Sequence, residues 1–452
     1  MADRLSSSRF GRAARLGGLA AGAAGRSLGG RATTVGRSEE AKAEANRKAV
    51  LETAERMVTV LGSMRGAAMK IGQTLSVIDM GLADEELSEE FQAKLARLQH
   101  MAPTVEFGDM RKVIEDDLGG RIGDTFAEFD EEPIAAASIG QVYKARLDDG
   151  RDVAVKVQYP GIKKTVESDL KNLGLVLKAG SRMVPGLASK EVAEEITERI
   201  VEELDYELEA ANHRAMAREY RGHPFIGVPA VVTALCTERV IVTEFVPARR
   251  FADLASEPDE VRDRYGEILF RFYVNGPFRH RLLSGDPHPG NSLFPPDGGV
   301  AFLDFGFFKH QSAGQVDSQR EILKAVYAQD ADRLFELSRE QGVIGDDRSL
   351  VEPLMEKYRA ATWWFLEDRE ITLSPADVTR IVWEHADMRK GFGDVGLPAE
   401  QVTTLRAFGL TLGILAQLRA TNNWFRIGRE VVFGDEPATE LGRAEAEWLA
   451  GR

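Results

Sequence analysis

The sequence predicts an α+β fold of two lobes, a smaller strand-rich one and a larger helical one, preceded by a helical extension. Three observations carry this: helical spacing of apolar residues up to about residue 118, a change to apolar/polar alternation between Phe126 and Val157, and a return to helical patterning beyond Asp259. The expected organisation is a basic arm at 1–37, the helical extension at 38–118, the smaller lobe with a helical insertion at 119–246, and the mostly helical larger lobe at 247–452.

The arm holds seven arginines and one acid, Asp3, in a Gly/Ala/Ser background. Its net charge of +6 leaves −20 for the rest of a chain that totals −14 over 452 residues. A segment so poor in bulky apolar side chains does not fold alone. A solvated, disordered arm is the first expectation. Contact with an anionic membrane surface, at about 1 kcal/mol per basic residue, is the second, and organellar targeting, suggested by Arg and Ser with few acids, the third. A body so acidic lacks the cationic surface that nucleic acid requires, so no nucleic-acid partner is expected. The best apolar run, 407–418, falls short of the ~20 residues needed to span a bilayer. The expected location is cytoplasmic, with peripheral membrane contact as an alternative.

In residues 39–78, Val50, Ala54, Met57, Val58 and Leu61 recur at helical spacing. Further helices are expected over 85–100 and 105–118, the latter stopped by Gly119-Gly120. Strands follow at 126–129, 141–145 and 152–157, the last two joined by the turn Asp148-Asp149-Gly150. Helices are expected over 163–183 and 190–220, strands over 228–233 and 239–245, and a hairpin over 291–304 turned by Asp297-Gly298-Gly299. The single cysteine, Cys236, excludes an intrachain disulfide and is expected as a small buried side chain in a strand.

The sharpest constellation is Gly285-Asp286-Pro287-His288-Pro289-Gly290-Asn291, followed by Leu303-Asp304-Phe305-Gly306. Phosphoryl transfer asks for one carboxylate to orient a nucleophile and for oxygen ligands to magnesium. Asp286 suits the first role, Asn291 and Asp304 the second. The order resembles the protein-kinase signature, and Val153-Ala154-Val155-Lys156 resembles the strand whose lysine holds the α- and β-phosphates. Taken alone, Lys156 would be a surface lysine of an ordinary strand; the downstream pair in the right order gives it meaning.

Where kinases place a glycine-rich loop, this chain has Ala135-Ala136-Ala137-Ser138-Ile139-Gly140-Gln141-Val142. The added Cβ atoms hold backbone further from phosphate oxygens, so the grip on nucleotide should differ from that of an ordinary kinase. By itself the alanine run is more often packing than a cradle. Glu244-Phe245-Val246 falls where a kinase hinge meets adenine, with Glu244 and Val246 as the candidate contacts. His288 is expected to brace its loop rather than bind metal. Trp363-Trp364-Phe365 is expected in the core ahead of an interfacial patch.

An alanine-rich loop, Lys70-Ile71-Gly72-Gln73 ahead of the kinase-like core, and Glu203-Leu204-Asp205 within an acidic segment together resemble the UbiB (AarF-type) family over roughly residues 60–310. The resemblance implies a two-lobed protein-kinase-like fold whose N-terminal extension crosses the cleft. It implies that Glu209 pairs with Lys156 and that Lys70 and Gln73 reach toward Glu203 and Asp205. On the helix expected there, Glu203 and Asp205 would diverge by about 200°; without the lysines the segment would read as a solvated acidic face. The 53-residue separation of Lys156 and Glu209 requires a helical insertion. The family is associated with ATPase or small-molecule work linked to isoprenoid lipids and quinones.

The resulting expectation is an enzyme binding Mg-ATP or Mg-ADP that hydrolyses ATP or phosphorylates a small or lipid-like acceptor, with a quinone-like molecule as candidate partner. A catalytically silent, nucleotide-gated binding module is the alternative. A third option, a small-molecule kinase of the aminoglycoside-phosphotransferase kind, is disfavoured by the Lys70 motif and the Glu203 segment.

Overall fold

Apolar residues three and four apart leave each N-terminal helix one buried stripe. Helix α1 (Glu39–Gly62) buries Val50, Ala54, Met57 and Leu61, and α2 (Glu85–Ala96), which packs against it, buries Leu87, Phe91 and Leu95. This computed structural model describes residues 39–62, 71, 85–97, 105–180, 197, 200, 201, 203–378, 380, 381 and 399–452. The chain divides into two units, Met1–Glu207 with Ala234–Val242, and Leu208–Thr233 with Thr243–Arg452.

In the first unit, α3 (Phe107–Leu118) ends on Gly119 at φ 70°, the left-handed stop its sequence announces. A short helix α4 (Ile122–Thr125) precedes β1 (Phe126–Phe129), the two-residue β2 (Ala135–Ala136), β3 (Gly140–Leu147) and β4 (Asp152–Gln158). Strands β3 and β4 pair antiparallel from Gly140↔Gln158 to Arg146↔Asp152, and both β1 and β2 pair antiparallel with β3. Alternation buries Tyr143, Ala145, Val153, Val155 and Val157. Helix α5 (Ile162–Gly180) follows.

Three sequence expectations are corrected here. The helix expected over 190–220 is interrupted: Leu204 turns, Asp205 is non-helical, and α6 (Tyr206–Glu219) starts afresh. The strand expected over 228–233 is reduced to a single bridge, Val231↔Thr243, because Pro229 has no N–H to offer a ladder, and the strand β5 (Ile226–Gly227) lies just before it. Cys236 lies before β6 (Val240–Glu244), not in a strand, and is half-buried with the Val242 N–H 3.5 Å from its sulfur.

In the second unit, whose sheet starts with β5, the chain continues through β7 (Arg249–Arg250), α7 (Asp259–Phe270), a π-helical turn at Arg271–Asn275, and α8 (Gly276–His280). Strands β8 (Leu282–Ser284), β9 (Ser292–Phe294), β10 (Val300–Phe302) and β11 (Phe308–His310) make two ladders. One sheet runs β5-β10-β9-β7 and the other pairs β11 with β8. The hairpin expected over 291–304 is present, turning at Gly298 with φ 82°. Helices α9 (Ala313–Ala328), α10 (Ala331–Glu340), α11 (Val351–Leu366), α12 (Ala399–Leu418), α13 (Trp424–Val432) and α14 (Glu440–Ala450) complete the unit.

Its core gathers Ile268, Leu269, Phe302, Phe305, Trp364, Leu415 and Trp424. Trp364 and Phe365 are buried, as expected of the core option for that triplet. Arg271 is wholly buried and donates to Glu267 at 2.7 Å, Glu430 at 2.7 Å and Glu445 at 2.9 Å, tying the π turn to α13 and α14. Charges so enclosed persist only when paired this fully. Among the described residues, no helix is long and apolar enough to cross a membrane.

Candidate functional site

The two short ladders of the second unit set its acidic loops side by side. Loop 285–291 leaves β8 and enters β9; loop 303–307 leaves β10 and enters β11. Since β8 pairs with β11 and β9 with β10, each loop is held at both ends. The Gly285 N–H donates to Phe307 O at 2.9 Å and the Leu303 N–H to Asn291 O at 3.0 Å. Asp286, Asn291 and Asp304 are thereby carried on two loops tied to each other.

The loop carrying Asp286 is rigid for local reasons. A Cβ at Gly285 would lie 2.3 Å from the Phe307 ring, so only glycine admits that approach. Pro287 and Pro289 restrict the backbone. The His288 Nδ1 accepts the Gly290 N–H at 3.0 Å, the bracing role expected of it. The Asn291 Nδ2 donates to Asp286 O at 3.2 Å, which leaves the amide oxygen as the cation-ligating end of that side chain. Asp304 Oδ1 accepts the Gly306 N–H at 2.9 Å. Among the described residues, no group of three or more His, Cys, Asp or Glu is placed to hold a metal. One aspartate and one asparagine suit magnesium, which takes few protein ligands and completes its shell with phosphate oxygens and water.

Helix α6 supports the Asp304 loop through residues on one face. Glu209, only 4% exposed, lies with Oε2 3.7 Å from where a Gly306 Cβ would be. The Asn212 Nδ2 donates to Phe305 O at 3.1 Å in a buried bond, and the His213 ring meets Phe305 edge to face at 4.8 Å. Positions i, i+3 and i+4 share a helix face, so Asn212 and His213 were findable from the sequence once Glu209 was singled out.

Two further groups reach these loops from elements the sequence did not connect with them. Tyr273, on the π turn, is buried; burial and the negative charges of Asp286 and Asp304 push its hydroxyl well above the ordinary phenol range. Arg406, on α12, lies 4.0 Å from Asp286 Oδ1.

In the first unit, Lys156 stands on β4 opposite Val142, half-buried, with Nζ 5.0 Å from the Tyr206 ring centroid. Ala135 and Ala136 are exposed strand residues, and the Ala137 N–H donates to Gly140 O at 2.8 Å. The alanine loop is therefore a tight return onto β3. A Cβ at Gly140 would lie 2.1 Å from Val157 O. Ser138 Oγ donates to Glu203 at 2.5 Å, joining this loop to the acidic segment, while Gln158 donates to Leu204 O at 3.0 Å.

Asp205 is exposed between the Leu204 turn and α6, so the 200° relation expected of two residues on one helix does not hold; the backbone break decides their directions. Lys156 belongs to the first unit and Glu209 to the second. Glu244 and Val246 belong to the second; Glu244 exchanges backbone and side-chain hydrogen bonds with Ala230. Lys70 and Gln73 lie outside the described residues, as does the stretch expected to carry the extension across the cleft; of that motif only Ile71 is described.

The model of the ABC1 atypical kinase-like domain matches residues 97–338. Atypical kinase COQ8B, mitochondrial, of Rattus norvegicus is 33% identical over 75% of this chain and 63% of its own length. Atypical kinase COQ8, mitochondrial, of Saccharomyces cerevisiae is 30% identical over 75% of this chain and 66% of its own. The chain thus spans less than two thirds of the length of these curated relatives. Among solved structures, Rv3197 of Mycobacterium tuberculosis, in its complex with erythromycin, matches with a TM-score of 0.61 and 29% identity, over 87% of this chain and 98% of that one. The matched domain takes in every sequence-predicted site residue except Lys70 and Gln73. More than half of the sequence is covered by one homologous domain of kinase-like α+β fold, and the chain belongs to the UbiB family of ABC1 atypical kinase-like proteins.

Proposed function

We propose that this chain binds Mg-ATP or Mg-ADP and hydrolyses ATP or transfers its phosphoryl group to a small or lipid-like acceptor, in support of isoprenoid quinone or lipid metabolism. The observation that carries the proposal is the pairing of loops 285–291 and 303–307 at both ends, with α6 fastened to the second through Asn212. In this reading Asp286 orients the attacking oxygen, Asn291 and Asp304 hold the magnesium, and Lys156, positioned by Glu209, takes the phosphates. Lys70, Gln73, Glu203 and Asp205 complete the machinery, with Ala135, Ala136, Ala137 and Ser138 covering the nucleotide. The Glu244 carbonyl and the Val246 N–H would meet adenine. When bound, the magnesium neutralises charge that develops on the transferred group.

The COQ8 names of two relatives support the quinone assignment, and their mitochondrial names favour an organellar role for the basic arm. The erythromycin complex adds macrolides to quinone head groups and lipids as acceptors to be screened. A silent, nucleotide-gated binding module is the second reading, favoured by the alanine Cβ atoms where kinases have glycine.

Thermal unfolding with Mg-ATP and Mg-ADP, with and without liposomes, tests the proposal. Ligand at a hundred times its dissociation constant adds about 2.7 kcal/mol. Asp304→Asn should lose that Mg-dependent stabilisation, whereas Asp286→Asn should keep it and lose turnover. Full stabilisation of Asp304→Asn would refute the metal assignment, and absence of turnover in the unaltered chain would favour the binding module.

A further inference from the structure

Arg406 comes from α12, remote in sequence from the loop it meets, yet its guanidinium Nη2 lies 4.0 Å from Asp286 Oδ1. The arginine side chain is 9% exposed and the aspartate 16%. An exposed pair at this distance would contribute almost nothing. Burial changes that: a guanidinium withdrawn from water costs several kcal/mol unless an anion answers it, and attraction at 4 Å is several-fold stronger there than in bulk solvent.

Packing holds the arginine where it is. Helix α12 lies along α7 and the π turn, burying Leu412 and Leu415 in the same core as Ile268 and Leu269. That π turn carries Tyr273, whose hydroxyl responds to Asp286. The distance is also chemically apt. At 4.0 Å the contact is too long for a direct hydrogen bond, so Arg406 attracts the carboxylate while consuming none of its lone pairs.

We propose that Arg406 is the positioning residue for Asp286, holding its carboxylate in the orientation that receives the nucleophile. This rests on Asp286 orienting the attacking oxygen, and the assignment reaches outside the homologous domain, which ends at residue 338.

The test uses the full chain with Mg-ATP as probe, measuring phosphate release and, separately, nucleotide affinity by calorimetry. Arg406→Ala should slow turnover about 10- to 100-fold, the range for a reacting group displaced by about 1 Å, with Mg-ATP affinity unchanged. Arg406→Lys, which restores charge without the planar fork, should recover part of the rate. The double variant Arg406→Ala/Asp286→Asn should be no slower than Asp286→Asn alone, because both changes remove one function.

Wild-type turnover in Arg406→Ala overturns the proposal, as do additive losses in the double variant or an affinity loss equal to the rate loss. A denaturant-unfolding cycle over the same four proteins checks the pair itself, and zero coupling there also overturns it. Undiminished turnover in Asp286→Asn sinks the underlying reading instead, and a wild-type chain that releases no phosphate sinks both.

Discussion

Asn212→Ala isolates the tie between α6 and the loop carrying Asp304. The wild-type amide donates to Phe305 O at 3.1 Å, and Asn212 is only 9% exposed, so water cannot readily replace it. Removing the donor forfeits a net hydrogen bond of about 1 kcal/mol and leaves a buried carbonyl unsatisfied, for a total of about 1–3 kcal/mol. A unit of this size should lose roughly 4–8 °C in Tm for a loss of about 2 kcal/mol. Asn212→Asp should be worse, since it keeps the volume but turns an acceptor toward an acceptor, close to Glu209. The functional consequence is a looser Asp304, so the Tm increment produced by Mg-ADP should shrink in both variants. Scanning calorimetry with and without Mg-ADP measures both effects. An Asn212→Asp protein as stable as wild type, with a full Mg-ADP increment, would refute the reasoning.

Gly140→Ala should destabilise the first unit by about 1–3 kcal/mol, because the new Cβ would lie 2.1 Å from Val157 O and the β3–β4 ladder must open there; urea unfolding reads it, and an unchanged midpoint contradicts the geometry. Stability should also fall with acid in two steps. The His223 Nδ1 accepts the Ile226 N–H at 3.0 Å, and burial holds its pKa below the ordinary 6.5, as it does for His280. Burial alone would raise Glu445, but the His223 imidazole 3.7 Å away and the charges of Arg279 and Arg271 outweigh it and hold the carboxyl below 4.5. In each case the unfolded chain takes up protons first, so stability is full above 6.5, declines as pH falls below it, and declines again below 4.5. Urea midpoints across that range should fall toward acid, and a flat profile would exclude the assignment.

Much of the candidate site was legible because its signals are local. Asp297-Gly298-Gly299 marks a turn wherever it sits, and it placed Asn291 and Asp304 at the two ends of one hairpin. Alternation around Val153–Lys156 placed Lys156 in a strand for the same reason. The helix expected over 190–220 was less secure: composition there favours helix throughout, and the break at Leu204 and Asp205 carries no glycine or proline to announce it.

The sequence alone determined the α+β class, the kinase-like order of the chemically active residues, and the likeness to the UbiB family. Only the tertiary structure decided that Ser138 meets Glu203, that Asn212 and His213 hold Phe305, and that Arg406 faces Asp286. Turn chemistry and periodicity act over a few residues and are written in the order of side chains. Contacts between distant segments depend on how apolar faces pack, and because hydrophobic attraction is non-directional, no short stretch of sequence names its partner.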